Sequence, residues 1–265
     1  MPRVICAVLL LAASCAATRA TPSGAGGESN PVARSLYESA QRSIVTIRLV
    51  LKISMGSRDT EQKAEAIGTV IDASGLTVVA ATAIDPAAAF RAAMQSRSSQ
   101  FKVDVKVNEA AILLPDGTEV EADVVWKDDG LGLAFVRPRE VPKEVSVVAL
   151  KAARPAQVLD EVLLVGRYGR SASRTAWVDQ TRVRAIVRGP HPFAICGEEA
   201  TNAIGTIGYG LDGAPLGIFV GRAASDGEGG GGGPRAMVVL RPLSDLIEAA
   251  EQAKAAKLPP AAAAN

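Results

Sequence analysis

Proton-transfer chemistry near neutral pH needs an imidazole, a thiol or a perturbed carboxylate, and this chain offers few. Its single histidine is His191, in Gly189-Pro190-His191-Pro192. A residue set between two prolines sits in a loop, because proline fixes its own φ and restricts its predecessor, so His191 is expected on a surface loop. The cysteines are Cys6, Cys15 and Cys196. Cys196 ends the apolar run Phe193-Ala194-Ile195-Cys196, where a thiol is expected to be buried and inert. No serine occurs from Arg174 to Ala224, and Cys196, Thr201 and Thr206 are the aliphatic hydroxyls and thiols after Thr181 in that stretch. Nucleophilic catalysis needs a hydroxyl or thiol, a base for its proton, and a group that orients the base. Spacing assembles no such trio here, and no metal site or cofactor is expected.

The whole chain bounds the problem further. Its 265 residues are enough for one large or two small domains with a sizeable core. Lys+Arg (29) and Asp+Glu (28) nearly balance, which gives no case for nucleic acid or an anionic membrane as partner. Residues 1–20 have the form of a secretory signal. Arg3 precedes an apolar stretch from Val4 to Ala13 that is too short to span a bilayer, and Thr18-Arg19-Ala20 offers a small-residue cleavage site. Ala12-Ala13-Ser14-Cys15 offers a second option, lipidation at Cys15. Either way the expected location is periplasmic or extracellular, with no transmembrane span in the mature chain. Cleavage after Ala20 would leave Cys196 as the one thiol, so no internal disulfide is expected.

The elements that must position any site are mostly short and β-like. Residues 21–30 are expected as a flexible linker. Asn30-Pro31 has the chemistry of a helix start, and the helix is expected to run to about Gln41. Ser43 to Leu51 predicts a strand, and the polar stretch from Ser54 to Glu65 a loop. Ala66 to Asp72 and Leu76 to Thr82 predict a hairpin around Ala73-Ser74-Gly75. A short helix is expected from Asp85 to Met94. Strands are predicted at 101–107, 110–114, 119–127, 131–136 and 145–150, and 137–144 is the expected linker between halves. In the second half, 161–165, 175–188, 193–196, 207–210, 215–221 and 236–240 predict strands. Leu211-Asp212-Gly213 is a strong hairpin signal, because glycine accepts positive φ. Residues 225–234 form a glycine-rich loop, 243–256 a helix, and 259–265 a frayed tail. The pattern predicts an all-β barrel or sandwich with a helix near each end.

Four segments, in order, resemble the trypsin-like protease domain of the HtrA/Deg type. Ala66 to Ile84 (AIGTVIDASGLTVVAATAI) resembles the strand–turn–strand that ends in that family's catalytic histidine. Leu114 to Val125 (LPDGTEVEADVV) with Asp128 to Val136 (DDGLGLAFV) resembles the hairpin and strand that carry its aspartate. Glu161 to Gly169 (EVLLVGRYG) is similar to the strand that opens its second barrel, and Ala203 to Val220 (AIGTIGYGLDGAPLGIFV) to the segment with its serine. The resemblance implies two six-stranded β-barrels with the site between them. The trypsin-like domain would span 31–258, with one barrel at about 43–137 and the other at about 145–241.

Carried over residue by residue, the resemblance leaves the triad empty. The histidine position falls on Thr82, with Ala81 or Ala83 one residue away. The aspartate position falls on Gly132, with Asp128 and Asp129 nearby in a turn. The serine position falls on Ile204, or on Ile207 or Asp212 in shifted registers. The family's oxyanion-loop positions fall on Asn202 and Ile204. A threonine hydroxyl is no general base near neutral pH. The expectation is therefore a catalytically inactive homologue whose groove is filled or clamps an extended peptide by strand addition. An active protease or another envelope protein is a further partner implied by the resemblance. Two readings stay open beside it: a serine-type endopeptidase with an unconventional or partner-completed site, and a purely structural envelope protein.

Overall fold

The computed structural model describes residues 31–88, 91, 103–151, 154–223 and 236–257. The expected signal segment with Cys15, the 21–30 linker, the 225–234 loop and the 259–265 tail lie outside them. Strands dominate. Six of them, β1 (Ile44–Met55), β2 (Arg58–Val70), β3 (Thr77–Ala80), β4 (Val103–Leu113), β5 (Glu119–Asp128) and β6 (Leu133–Pro138), close into a barrel in the order β1-β2-β3-β6-β5-β4.

The second half is a seven-stranded sheet rather than a second six-stranded closed barrel. It comprises β7 (Glu161–Arg167), β8 (Ala176–Arg182), β9 (Ala185–Val187), β10 (Phe193–Ile195), β11 (Ile207–Gly210), β12 (Pro215–Ala223) and β13 (Ala236–Pro242), in the order β8-β7-β11-β12-β13-β10-β9. The two edge strands are consecutive in the chain, joined only by Val183 and Arg184. That short tether forces the sheet to curl until its edges meet at a corner. Val183 N–H donates to the Asp160 carbonyl at 2.9 Å and Arg184 N–H to the Ile195 carbonyl at 2.8 Å, so the corner is bonded outside the strand ladder.

Strand alternation sorts the apolar residues into three cores. In β1, Val45, Ile47, Leu49 and Leu51 point into the barrel, where they meet Val79, Ile112, Ala134 and Val136. In β7, Val162 and Leu164 point inside the curled sheet, toward Phe219 and Leu240. Their neighbours Leu163 and Val165 point the other way and meet Val78, Leu133 and Phe135 of the barrel. The third core therefore glues the two units together. α1 (Pro31–Ala40) borders it, and α3 (Leu243–Ala255) seals it with Leu243, Leu246, Ala249, Ala250 and Ala253.

Two local expectations fail for physical reasons. The polar stretch from Ser54 to Glu65 is no loop. β1 and β2 pair continuously from Ile44↔Thr69 to Met55↔Arg58, an arm held by main-chain bonds and by the Lys52–Asp59 ion pair at 2.6 Å. A projecting arm needs no apolar face, so its polarity misleads. Residues 145–150 form no strand, and Val148 N–H simply donates to the Val70 carbonyl at 3.0 Å. The expected Asp85–Met94 helix is met where it is described: beyond the single-turn helix α2 (Ala81–Ile84), Ala88 and Arg91 are helical and Arg91 N–H donates to the Ala87 carbonyl at 2.8 Å, while 89–90 and 92–102 lie outside the described residues.

Arginines that serve carbonyl groups fasten the ends. Arg137 donates to the Ala253, Lys254 and Ala256 carbonyls, capping the C-terminus of α3. Such donors meet the carbonyls that a helix end leaves unpaired. Arg167 does the same for Gln41 and Ile44 after α1, and burial pulls its pKa down.

Candidate functional site

β11 covers only part of β12. Their pairing runs from Ile207↔Ile218 to Tyr209↔Pro215, and Phe219 is the last β12 residue bonded on that side, through Gly205 N–H (2.8 Å) and the Thr206 carbonyl (2.9 Å). β13 continues along the other side to Ala223↔Ala236. Main-chain groups alternate between the two sides of a strand. Gly221 shares Phe219's phase, so its N–H and C=O face the uncovered side. Among the described residues, 220–223 thus have no strand partner on that side, and Gly221 itself is buried.

That half-edge of β12 opens onto a cleft between barrel and sheet with a cavity volume of about 480 Å³. Thr82 and Gly132 from the barrel line it, with Gly221, Arg222, Arg188 and His191 from the sheet. Gly132 and Thr82 lie against one strand position. A Cβ on Gly221 would lie 3.4 Å from Thr82 Cγ2, and one on Gly132 would lie 3.4 Å from the Gly221 oxygen. The Ala81 N–H donates to the Gly132 carbonyl at 2.9 Å, fixing the two barrel segments together. Gly132 has φ +74°, a conformation that disfavours any side chain with a Cβ.

The third position behaves differently. Ile204 follows the 3₁₀ turn Glu198–Ala203, is half-buried, and does not line the cleft. Asn202 is exposed on that turn. Gly205 beside them has φ +87° and is pressed against the barrel, where a Cβ would overlap the Ile67 carbonyl. Thr69 Oγ1 donates to the Gly205 carbonyl at 2.9 Å, so this segment is bolted to β2. The structure therefore brings Thr82 and Gly132 together and leaves the cleft open, with Ile204 outside it. The shifted-register positions are also not in the cleft. Ile207 is buried in the core between the units, and Asp212 sits in the β11–β12 turn, where its Oδ1 accepts from Ala214 N–H at 3.1 Å.

The nearby carboxylates are occupied. Asp128 accepts the Leu131 N–H at 2.9 Å within its turn, and Asp129 pairs with Lys127 at 3.0 Å. Asp85 is buried and bound to Arg91 and Lys127. Burial pushes its pKa up, but those two cations outweigh burial and hold it below the usual carboxylate range. Cys196 is buried, and desolvation pushes its thiol up to about 11, which removes thiolate at neutral pH. Among the described residues no three His, Cys, Asp or Glu side chains cluster as metal ligands, and no helix is long and apolar enough to cross a membrane.

Sequence reasoning missed the cations of this cleft. His191 is exposed in the β9–β10 turn, as a loop histidine would be, yet that turn forms one wall. Arg241 is 1% exposed and crosses the back of the cleft. Its guanidinium donates to the Gly130 (3.1 Å), Leu131 (3.3 Å) and His191 (3.2 Å) carbonyls. Burial lowers its pKa. Asp245 lies 4.0 Å away, and burial raises the Asp245 pKa despite the nearby charge. Arg222 lies over the Phe193 ring at 4.6 Å, with Arg241 near the same ring at 5.8 Å. Residues so far apart in sequence carry no spacing signal.

Fold and site together define a mostly β protein in which a closed six-stranded barrel and a curled sheet enclose a basic, open cleft. No family model and no curated protein matches the chain.

Proposed function

We propose that this protein is an exported, catalytically inactive homologue of trypsin-like HtrA/Deg proteases that holds an extended peptide or protein segment in the cleft. On this reading the curled sheet stands for the family's second barrel. The observation that carries it is the meeting of Thr82, Gly132 and Gly221. The positions equivalent to the family's base and its orienting carboxylate sit side by side at that strand edge, and neither bears an ionisable group. A peptide adding to that edge gains main-chain hydrogen bonds at Gly221. Nothing aligned there polarises a nucleophile, and removing such a unit costs roughly six orders of magnitude in rate. Export, by signal cleavage near Ala20 or lipidation at Cys15, belongs to the same proposal.

A second reading has one observation behind it. His191 and the Thr82 hydroxyl line the same cleft, so a serine-type endopeptidase with an unconventional site has an imidazole on the cleft wall. One experiment separates the two. Purified mature protein is incubated with casein and, separately, with a fluorophosphonate probe. The inactive reading expects no cleavage and no labelling. Inhibitor-sensitive cleavage that His191→Ala abolishes would replace it with the peptidase.

A further inference from the structure

The cleft carries cations without counter-ions. Among the described residues Arg188 and Arg222 pair with no carboxylate, and both are exposed at the cleft. Arg222 is held in place by the Phe193 ring, as cation–π contact orients a guanidinium. It also stands near the buried Arg241, which shares that ring. Two guanidinium groups on one ring repel each other, and an incoming anion relieves that repulsion. The acid that lines the cleft, Asp129, is already engaged by Lys127.

The charge lies beside that strand edge. Arg222 directly follows Gly221, and Arg188 stands in the turn on the same wall. A strand paired with Gly221 therefore runs past both guanidinium groups. Carboxylates suit them, because a guanidinium fork takes a carboxylate by two parallel hydrogen bonds.

We infer that the cleft selects acidic segments: an extended peptide pairs with the β12 half-edge at Gly221, and its Asp or Glu side chains are taken by Arg222 and Arg188. This inference rests on the peptide-holding reading above and names the chemistry of the occupant.

The test uses fluorescence anisotropy with three labelled peptides, (Val-Glu)3, (Val-Gln)3 and (Val-Lys)3, and the purified full protein. In about 50 mM salt the glutamate peptide is expected to bind about tenfold tighter than the glutamine peptide, the size of one charge-assisted pair, with the lysine peptide weakest. High salt and the double variant Arg188→Gln, Arg222→Gln should each erase the contrast. Both side chains are exposed, so the variant's unchanged far-UV circular dichroism and melting curve serve as the folding control. Equal binding of glutamate and glutamine peptides, or a contrast that survives in the double variant, overturns acid selection and leaves peptide holding intact. Cleavage of the glutamate peptide overturns the inactive reading and leaves acid selection intact. Failure of all three peptides to bind overturns both.

Discussion

The Arg241 guanidinium donates to the Leu131 carbonyl oxygen at 3.3 Å, from the last strand of the sheet to the β5–β6 turn of the barrel. Bonds to the Gly130 and His191 carbonyls make the same side chain a strap across both walls of the cleft. The cleft is thus set by one buried cation, bonded to three carbonyls and with Asp245 4.0 Å away.

Arg241→Met keeps most of the side-chain volume and removes every donor. Three carbonyls then lose charge-assisted partners in a buried setting, where each such bond contributes about 1.5–3 kcal/mol when its loss leaves a group unsatisfied. Water entering the cleft recovers part of this. A net loss of about 2–4 kcal/mol is expected, read as a lower denaturant midpoint at unchanged slope. A midpoint within error of the parent would show that the strap contributes no stability.

Gly205 ties the sheet to the barrel with φ +87° and no room for a side chain against Ile67. Gly205→Ala meets both the positive-φ penalty and a backbone overlap. The expected destabilisation is at least about 3 kcal/mol. Thr69→Val removes only the hydroxyl that bonds the Gly205 carbonyl, and about 1–2 kcal/mol is expected. Equal effects of the two substitutions in urea melts would contradict this account.

Asp85 makes stability depend on acid. Its folded-state pKa lies below the ordinary value, so the unfolded chain binds the proton first. The stabilisation is complete above the unfolded value of about 3.9 and is lost as pH falls through the lower folded value. Asp85→Asn should therefore be less stable at neutral pH and show a shallower loss below about pH 4. Asp245 works in the opposite sense. Burial raises its folded pKa, so the folded state takes up that proton first and gains as pH falls. Asp245→Asn should steepen the acid limb. Melting temperatures between about pH 2 and 7 check both, and parallel curves for all three proteins would refute the assignment.

Much of the β architecture was legible locally. The alternation Val45, Ile47, Leu49, Leu51 marks a strand with one face in a core, and Asp212-Gly213 marks the β11–β12 turn by the positive φ that Gly213 adopts, +78°. The β1–β2 arm was not legible, since its polar residues pair through main chain and no apolar face announces them. The run from Thr175 to Arg188 reads locally as one strand. It breaks at Val183 and Arg184 because the sheet must turn a corner there to bring its two edges together.

The sequence by itself determined the poverty of chemical groups: one histidine and a serine-free stretch from Arg174 to Ala224. Such facts need no geometry, because a residue type that is missing cannot be folded into place. Only the tertiary structure decided that Ile204 stays out of the cleft, that Gly132 stands at positive φ beside Gly221, and that Arg188, Arg222 and Arg241 gather at its wall. Those meetings join turns and strands far apart in the chain. Local periodicity records which face a residue takes in its own element, whereas the packing of barrel against sheet decides which faces meet.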